Sequence, residues 1–385
     1  MNWRLFFILT LMPLLSFGQD LVVDGYVKYL HMYFHPKEQA LLPDMDDMNT
    51  KTLHNRLNIN WYINDNIGAQ IGIRNRFIHG NLIKNIPFYK KIIDIDSGIV
   101  DCSWTIVSDD SWLLHSIIDR AYVDFTFGDL QVRAGRQRIN WGISMVWNPN
   151  DIFNSFSFFD FDYEERPGSD ALKLEYYTGA TSSLQLVFKL GKSSDNNALA
   201  ALYRFSRWEY DFQLLTGYAG ADYIIGTGWT GNIAGGGFHG EMTYFKPRPN
   251  KDYSQEAFVA SLSYDYTLKS NIYLSVEGLF NSRGATSNAA PSNVLYQEDL
   301  SAKRLSNAKY AVFGQVSYPF TPLVSASLSS ILNPNDHSWF LNPAIMISLT
   351  ENIELMLTGQ LFFGNDQTEF GDIGQLAFGR LRWSF

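Results

Sequence analysis

The chain has 385 residues, 46% hydrophobic, 15% aromatic and 18% charged, with a net charge of -9. Its 28 Phe, 21 Tyr and 10 Trp exclude an intrinsically disordered chain, and the single Cys102 excludes a disulfide scaffold. The acidic balance removes the basic face that phosphate backbones require, so nucleic acid is excluded as a partner.

The first residues, MNWRLFFILTLMPLLSFGQ, place Arg4 before an apolar stretch from Leu5 to Leu15. Ser16 and Gly18 supply small residues just before a cut at Gln19. Residues 1–18 are therefore expected to be a secretory signal peptide, and 19–385 a single domain. No run of about 18 or more apolar residues is present to cross a bilayer as a helix.

Beyond Gln19 apolar and polar residues alternate with a period of two. Ile59, Trp61 and Ile63 alternate with Asn58, Asn60 and Tyr62; Trp339, Leu341, Ile345 and Ile347 with Ser338, Asn342 and Ser348. Ile353, Leu355, Leu357 and Leu361 oppose Glu354, Thr358 and Gln360. In the last segment Ala377, Gly379, Leu381, Trp383 and Phe385 oppose Arg380, Arg382 and Ser384. The predicted strands are 21–34, 52–63, 67–78, 115–127, 130–138, 170–178, 182–190, 197–206, 208–218, 221–230, 233–246, 255–267, 271–280, 308–318, 322–331, 338–349, 352–363 and 374–385.

The connections sort by parity. After even-numbered segments they are tight, as at Gly128-Asp129, Arg207, Gly231-Asn232 and Thr350-Glu351; after odd ones most are long, as at 35–51, 79–114, 139–169 and 281–307. Such sorting, with strands of bilayer-crossing length, predicts an all-β fold: a transmembrane antiparallel β-barrel of about 18 strands, 16 being the alternative, with short periplasmic turns and long extracellular loops. Tyr26, Trp61, Phe77, Phe125, Phe127, Trp208, Trp339 and Trp383 are expected in the interfacial girdles. The amphipathic end at Phe385 resembles the carboxy-terminal signal read by the bacterial barrel-insertion machinery, which makes that machinery an expected partner.

If the apolar face meets lipid, the alternate residues line the lumen. These are Arg56, Arg74, Arg76, Arg120 (or Asp119), Arg133 and Arg136 (or Arg138). An arginine facing mid-membrane lipid would cost about 2–4 kcal/mol, so the phase is forced. Glu209, Asp211, Glu241, Glu277 and Glu354 take inner positions further along, which predicts a transverse field between a basic and an acidic wall. The aromatic segment 139–169 carries Asp160, Asp162, Glu164 and Glu165. It is expected to fold into the barrel, with Asn150-Asp151 capping a short helix through Phe158 and the acidic cluster near the arginines. An external cap or docking surface is the alternative.

Gly135-Arg136-Gln137, Asn140-Trp141-Gly142, Trp147-Asn148-Pro149 and Asp151-Ile152-Phe153-Asn154 resemble a porin-type outer-membrane barrel of the Bacteroidota. They are distantly similar to the superfamily of alginate-export and phosphate-selective porins. The resemblance implies an outer-membrane channel and names no solute.

No H-E-x-x-H, G-x-S-x-G or P-loop occurs. His31 and His35 lie too far apart on a strand to form a metal pair, and the acidic stretch Asp44-Met45-Asp46-Asp47 reads as a solvated loop rather than a Ca²⁺ site. A rim hydrolase built on Asp109, Asp110 and His115 is the weakest alternative. The expectation is a non-enzymatic outer-membrane channel for passive diffusion of small hydrophilic or anionic solutes, without cofactor or metal. A plugged barrel serving an envelope surface or export complex is the runner-up. Outer-membrane lipid and small solutes are the expected partners, and a homo-oligomer is compatible with the sequence.

Overall fold

A strand with water on one face and hydrocarbon on the other must alternate its side chains, and a sheet in hydrocarbon must have no open edge. Both conditions shape this chain. The computed structural model describes residues 20–37, 46–86, 89–96, 98–160, 162, 166, 168–251, 253–289 and 300–385. The expected signal peptide, 1–18, lies outside the described residues.

The strands are β1 (Asp20–Pro36), β2 (Met48–Asn64), β3 (Ile67–Gly80), β4 (Ser103–Ser108), β5 (Trp112–Phe127), β6 (Leu130–Gln137), β7 (Ser169–Gly179), β8 (Ser182–Lys189), β9 (Ala198–Arg207) and β10 (Tyr210–Ala219). They continue as β11 (Asp222–Ile233), β12 (Gly236–Pro247), β13 (Ala257–Thr267), β14 (Tyr273–Asn281), β15 (Tyr310–Thr321), β16 (Val324–Asn333), β17 (Ser338–Thr350), β18 (Ile353–Phe363) and β19 (Gly374–Ser384). Two short helices, α1 (Leu82–Asn85) and α2 (Tyr89–Ile93), lie between β3 and β4. Each strand pairs antiparallel with its neighbours, and β1 pairs with β19 to close the ring. Reciprocal backbone bonds of 3.0 Å between Gly25 and Phe385 extend that seam to the last residue.

The result is a closed antiparallel barrel of 18 strands, the expected fold class. The extra strand β4 pairs only along the outer half of β5, above the short β6. The sequence pattern missed it because six residues inside a long connection do not span a membrane. No helix among the described residues is long and apolar enough to cross a membrane.

Alternation sorts the faces. Leu53, Ile71, Leu214, Leu262, Leu357 and Leu381 are exposed on the outer face. Lys28, His54, Arg56, Arg74, Glu241 and Glu277 are buried on the inner one. Asn55, Asn75 and Ser116 face outward but satisfy one another: Ser116 Oγ donates to Asn75 at 2.5 Å, Asn75 to Asn55, and Asn55 to the Tyr26 carbonyl. Tyr26, expected in a girdle, is instead buried inside, edge-on to His54.

The chain turns at different residues from those expected in three hairpins, the one between β15 and β16 turning at Pro322-Leu323. β9 and β10 are joined by Trp208-Glu209, and β11 and β12 by Ala234-Gly235; all four residues have φ between 51° and 84°. That left-handed pair is the turn which matches the twist of flanking strands. Glu209 therefore sits at the rim instead of on the inner face of a strand.

An arginine placed at mid-height on the outer face should be costly. Ile73→Arg is expected to lower stability by about 2–4 kcal/mol, read by reversible denaturant unfolding in lipid vesicles.

Candidate functional site

The connection from β6 to β7, residues 138–168, enters the barrel and is fixed to its inner wall at several points. Its start is fixed by Trp141, fully buried, which donates from Nε1 to Gln185 on β8 at 2.9 Å. The Trp141 carbonyl accepts from Gln213 on β10 at 2.8 Å.

Next come backbone amides with no acceptor of their own. Glu241 on β12 takes those of Ile143, Ser144 (2.8 Å) and Asn150 (2.9 Å). Glu277 on β14 takes those of Met145 and Val146 (both 3.1 Å) and Trp147 (2.7 Å). Each carboxylate thus receives three charge-assisted bonds, the strongest kind such a group can accept. The Asn150 side chain completes the clamp, donating to the Thr227 carbonyl at 3.0 Å and accepting from Thr243 at 2.6 Å. Gly228 on β11 lets the loop approach: a Cβ there would lie 2.9 Å from Ile143 Cδ1 and 3.0 Å from Asn150 Nδ2.

The loop then crosses to the opposite wall. Phe158 packs edge-on to Phe313 at 5.1 Å and Phe159 to Phe340 at 5.0 Å. Gln360 on β18 donates to the Phe159 carbonyl at 2.7 Å. Asp162 meets Lys28 on β1 at 2.8 Å and Arg380 on β19 at 3.7 Å. The path returns to β5, where Arg120 donates to the Arg166 carbonyl at 2.9 Å. The helix expected from Asn150 does not form. Eight residues of helix advance about 12 Å, whereas the extended chain reaches roughly twice as far and delivers Phe158 to the far wall.

Burial pushes the Asp162 carboxyl up, but His54 and Lys28 outweigh it and hold it below the ordinary range. Asp151 has no such support. Burial pushes it up to about 6, against the pull of Arg138.

Five of the predicted arginines, Arg56, Arg74, Arg76, Arg120 and Arg133, gather on the inner face of β2, β3, β5 and β6, with partners other than the loop acids. Arg136 does not, because it pairs in register with Ala121 and Asp170, in the outward phase of Ile71 and Leu172. Arg56 pairs with Asp119 at 2.6 Å, and both are buried. Arg133 grips Asp124 through two bonds of 2.5 and 3.0 Å. Arg136 binds Asp170 twice, at 2.7 and 2.9 Å, and Asp96 at 2.6 Å. Arg76 lies 3.2 Å from His115, and Arg74 is opposite Arg56 in the register. A bulge shifts the β3–β5 register so that Asp119 and Arg120 are both buried, and the choice between them disappears. Of the loop acids, Asp160 is exposed, and Asp162 joins Lys28 and Arg380 and lies 4.0 Å from His54, which is opposite Arg76 in the register. Glu164 and Glu165 lie outside the described residues.

Of the acids expected to form an opposing wall, Glu241 and Glu277 hold loop amides and Glu354 pairs with Arg380 at 2.6 Å. The expected transverse field is largely spent within the protein. At the tight-turn mouth a cavity of about 540 Å³ is lined by Glu209, Asp211, His239 and Asp265.

His115 is wholly buried. Its Nδ1 faces the Arg76 guanidinium, so that nitrogen accepts and Nε2 carries the proton. Nε2 then donates to Ser103 at 2.8 Å, and Ser103 donates to Asp94 at 2.9 Å. Protons run from histidine through serine to aspartate, the reverse of what activates a nucleophile. Among the described residues no cluster of His, Cys, Asp and Glu could hold a metal.

No family model and no curated protein matches the chain. Solved structures do match. Acinetobacter baumannii OccAB3 superposes with a TM-score of 0.64 at 9% identity, covering 95% of this chain and 99% of that one. The outer membrane protein OprD of Pseudomonas aeruginosa gives 0.57 at 9%, covering 95% and 93%. Pseudomonas aeruginosa OccD3 gives 0.58 at 8%, covering 96% and 91%. The fold is that of the OprD and Occ barrels. At such identities the likeness carries architecture and no residue roles.

The two carboxylates should control the loop. In Glu241→Gln/Glu277→Gln, buried amides lose their charged acceptors, each unmade bond costing about 1–3 kcal/mol. Limited proteolysis of reconstituted protein should then cut within 138–168, where the parent resists.

Proposed function

We propose that this chain is an outer-membrane channel for passive diffusion of small hydrophilic solutes, anionic ones preferred. One observation carries the reading: the 138–168 loop is tied to the wall at separate points, on β8, β10, β12, β14, β18 and β1, returns to β8 at Phe153 and crosses from there to β15 and β17. A segment so anchored narrows a lumen without requiring that it be filled. An 18-strand barrel is wider than its own side chains can fill, so an unplugged one encloses water.

The preference for anions rests on Arg56, Arg74, Arg76, Arg120 and Arg133. Arg204 on β9 extends the basic inner face to within 3.5 Å of the loop's Asn140 carbonyl. Paired guanidiniums keep N–H donors beyond those bound to their carboxylates, and these can pass an anion from one to the next. Outer-membrane placement, export by a cleaved leader at 1–18 and insertion through the strand ending at Phe385 belong to the same proposal. So does the kinship of Gly135–Asn154 with porins of the Bacteroidota. The OprD and Occ fold supports the channel reading at the level of architecture.

The test is planar-bilayer recording. The folded protein should conduct, and Arg133→Gln/Arg204→Gln should lower the anion-to-cation permeability ratio by about twofold or more. Zero conductance from folded protein overturns the channel and favours a plugged barrel that serves an envelope complex. An unchanged reversal potential in the variant overturns the anion preference.

A further inference from the structure

We propose that a strip on the outer surface of the barrel, His31–Lys51–His79, binds the phosphate of an outer-leaflet lipid headgroup. The register sets the three side by side: His31 is opposite Lys51 across β1–β2, and Lys51 is opposite His79 across β2–β3. All three share the outward phase of Tyr29, Leu53 and Phe77, which form the next row toward the membrane and are 41%, 50% and 41% exposed. The strip therefore lies directly above the apolar belt on the long-loop side, where headgroups begin.

Its charge is unmatched. Lys51 and His79 are exposed, and neither has a hydrogen-bond or ion-pair partner among the described residues. His31 is held by Asn49 at 2.6 Å. The nearest carboxylate in the strand pairing, Asp47, is already taken by Tyr33 at 2.5 Å and His35 at 2.6 Å. Inside the barrel Arg56 and Arg133 each hold a carboxylate; here three basic groups stand on adjacent strands with none.

The geometry suits a phosphate ester. Neighbouring strands are about 4.8 Å apart, so the oxygens of one phosphate can accept from two of the three side chains at once. The row beneath favours a lipid over free phosphate. Acyl chains attached to a phosphate at Lys51 would lie over Tyr29, Leu53 and Phe77, and Trp112, opposite His79, packs on Phe77 at 5.8 Å. An ammonium and two imidazole groups above aromatic rings match the order of an anionic lipid: phosphate, then glycerol or sugar, then chain.

The proposal rests on outer-membrane placement and not on transport, and the experiment reads the two separately. The folded protein in detergent is examined by native mass spectrometry with monophosphoryl lipid A, with its dephosphorylated counterpart, and with inorganic phosphate as competitor. The parent should retain the phosphorylated lipid. Lys51→Gln/His79→Gln should bind it about tenfold more weakly or worse, as expected on losing charged hydrogen bonds. Lys51→Glu alone, one exposed substitution, should lose it as well. The dephosphorylated lipid should bind parent and variants equally weakly. Bilayer conductance in the same samples should not change, because these side chains lie outside the lumen. Equal retention of the phosphorylated lipid by parent and variants overturns the proposal. So does displacement of the lipid by inorganic phosphate alone, or loss of parent dimers or trimers in the variants in place of lost lipid.

Discussion

Every backbone N–H and C=O that lies in hydrocarbon must bond within the protein, because no water is there to bond instead. In this chain that requirement is met by one seam, β1 against β19, extending from Tyr26–Ser384 to Pro36–Gly374. Without it both edges would be open along their full length. The C-terminal strand is thus the element that converts a ribbon of hairpins into a closed wall. The sharp alternation of its side chains follows from that position: Leu381 and Trp383 face outward, while Arg380 and Arg382 face the lumen.

Closure creates an interior that must be managed. Charged side chains gathered there would repel if left alone, and the chain pairs them locally: Arg56 with Asp119 and Arg133 with Asp124. The loop is treated differently. Along 143–150 it brings backbone amides and no acids, so it requires acceptors from elsewhere. Glu241 and Glu277 supply them, each satisfying three donors. A buried carboxylate without donors is costly, and buried amides without acceptors are costly too; together each removes the other's penalty. The loop's position is therefore fixed by mutual need and not by apolar packing alone.

Most of the fold was legible in the sequence because each strand declares its two faces locally. Where the local signal was degenerate, the reading slipped. The run Thr230-Gly-Asn-Ile-Ala-Gly-Gly-Gly237 offers several turn sites, and only the pairing of Asn232 with Gly237 selects Ala234-Gly235. Arg120 could be placed by phase, but the bulge that also turns Asp119 inward depends on the register with β3. The loop was legible as something too apolar for water. Its partners were not, since Glu241 and Glu277 are 91 to 132 residues away from the amides they hold. The signal that could have found them is chemical: a stretch rich in unpaired amides on one side of the chain, and inward carboxylates lacking an arginine on the other.

The same reasoning separates the two ways in which this barrel could be closed to solutes. A plug must fill the cross-section, and residues filling it would pack on one another. The loop instead packs outward on the wall, from Trp141 at β8 to Phe159 against Phe340 and Phe362 to Asp162 at Lys28. Trp141 also packs edge-on to Phe153 at 4.8 Å, so the loop holds itself as well as the wall. In the proposed channel the width left open depends on how firmly two glutamates and one lysine hold the loop to the wall, so permeation and loop anchoring become one energetic question.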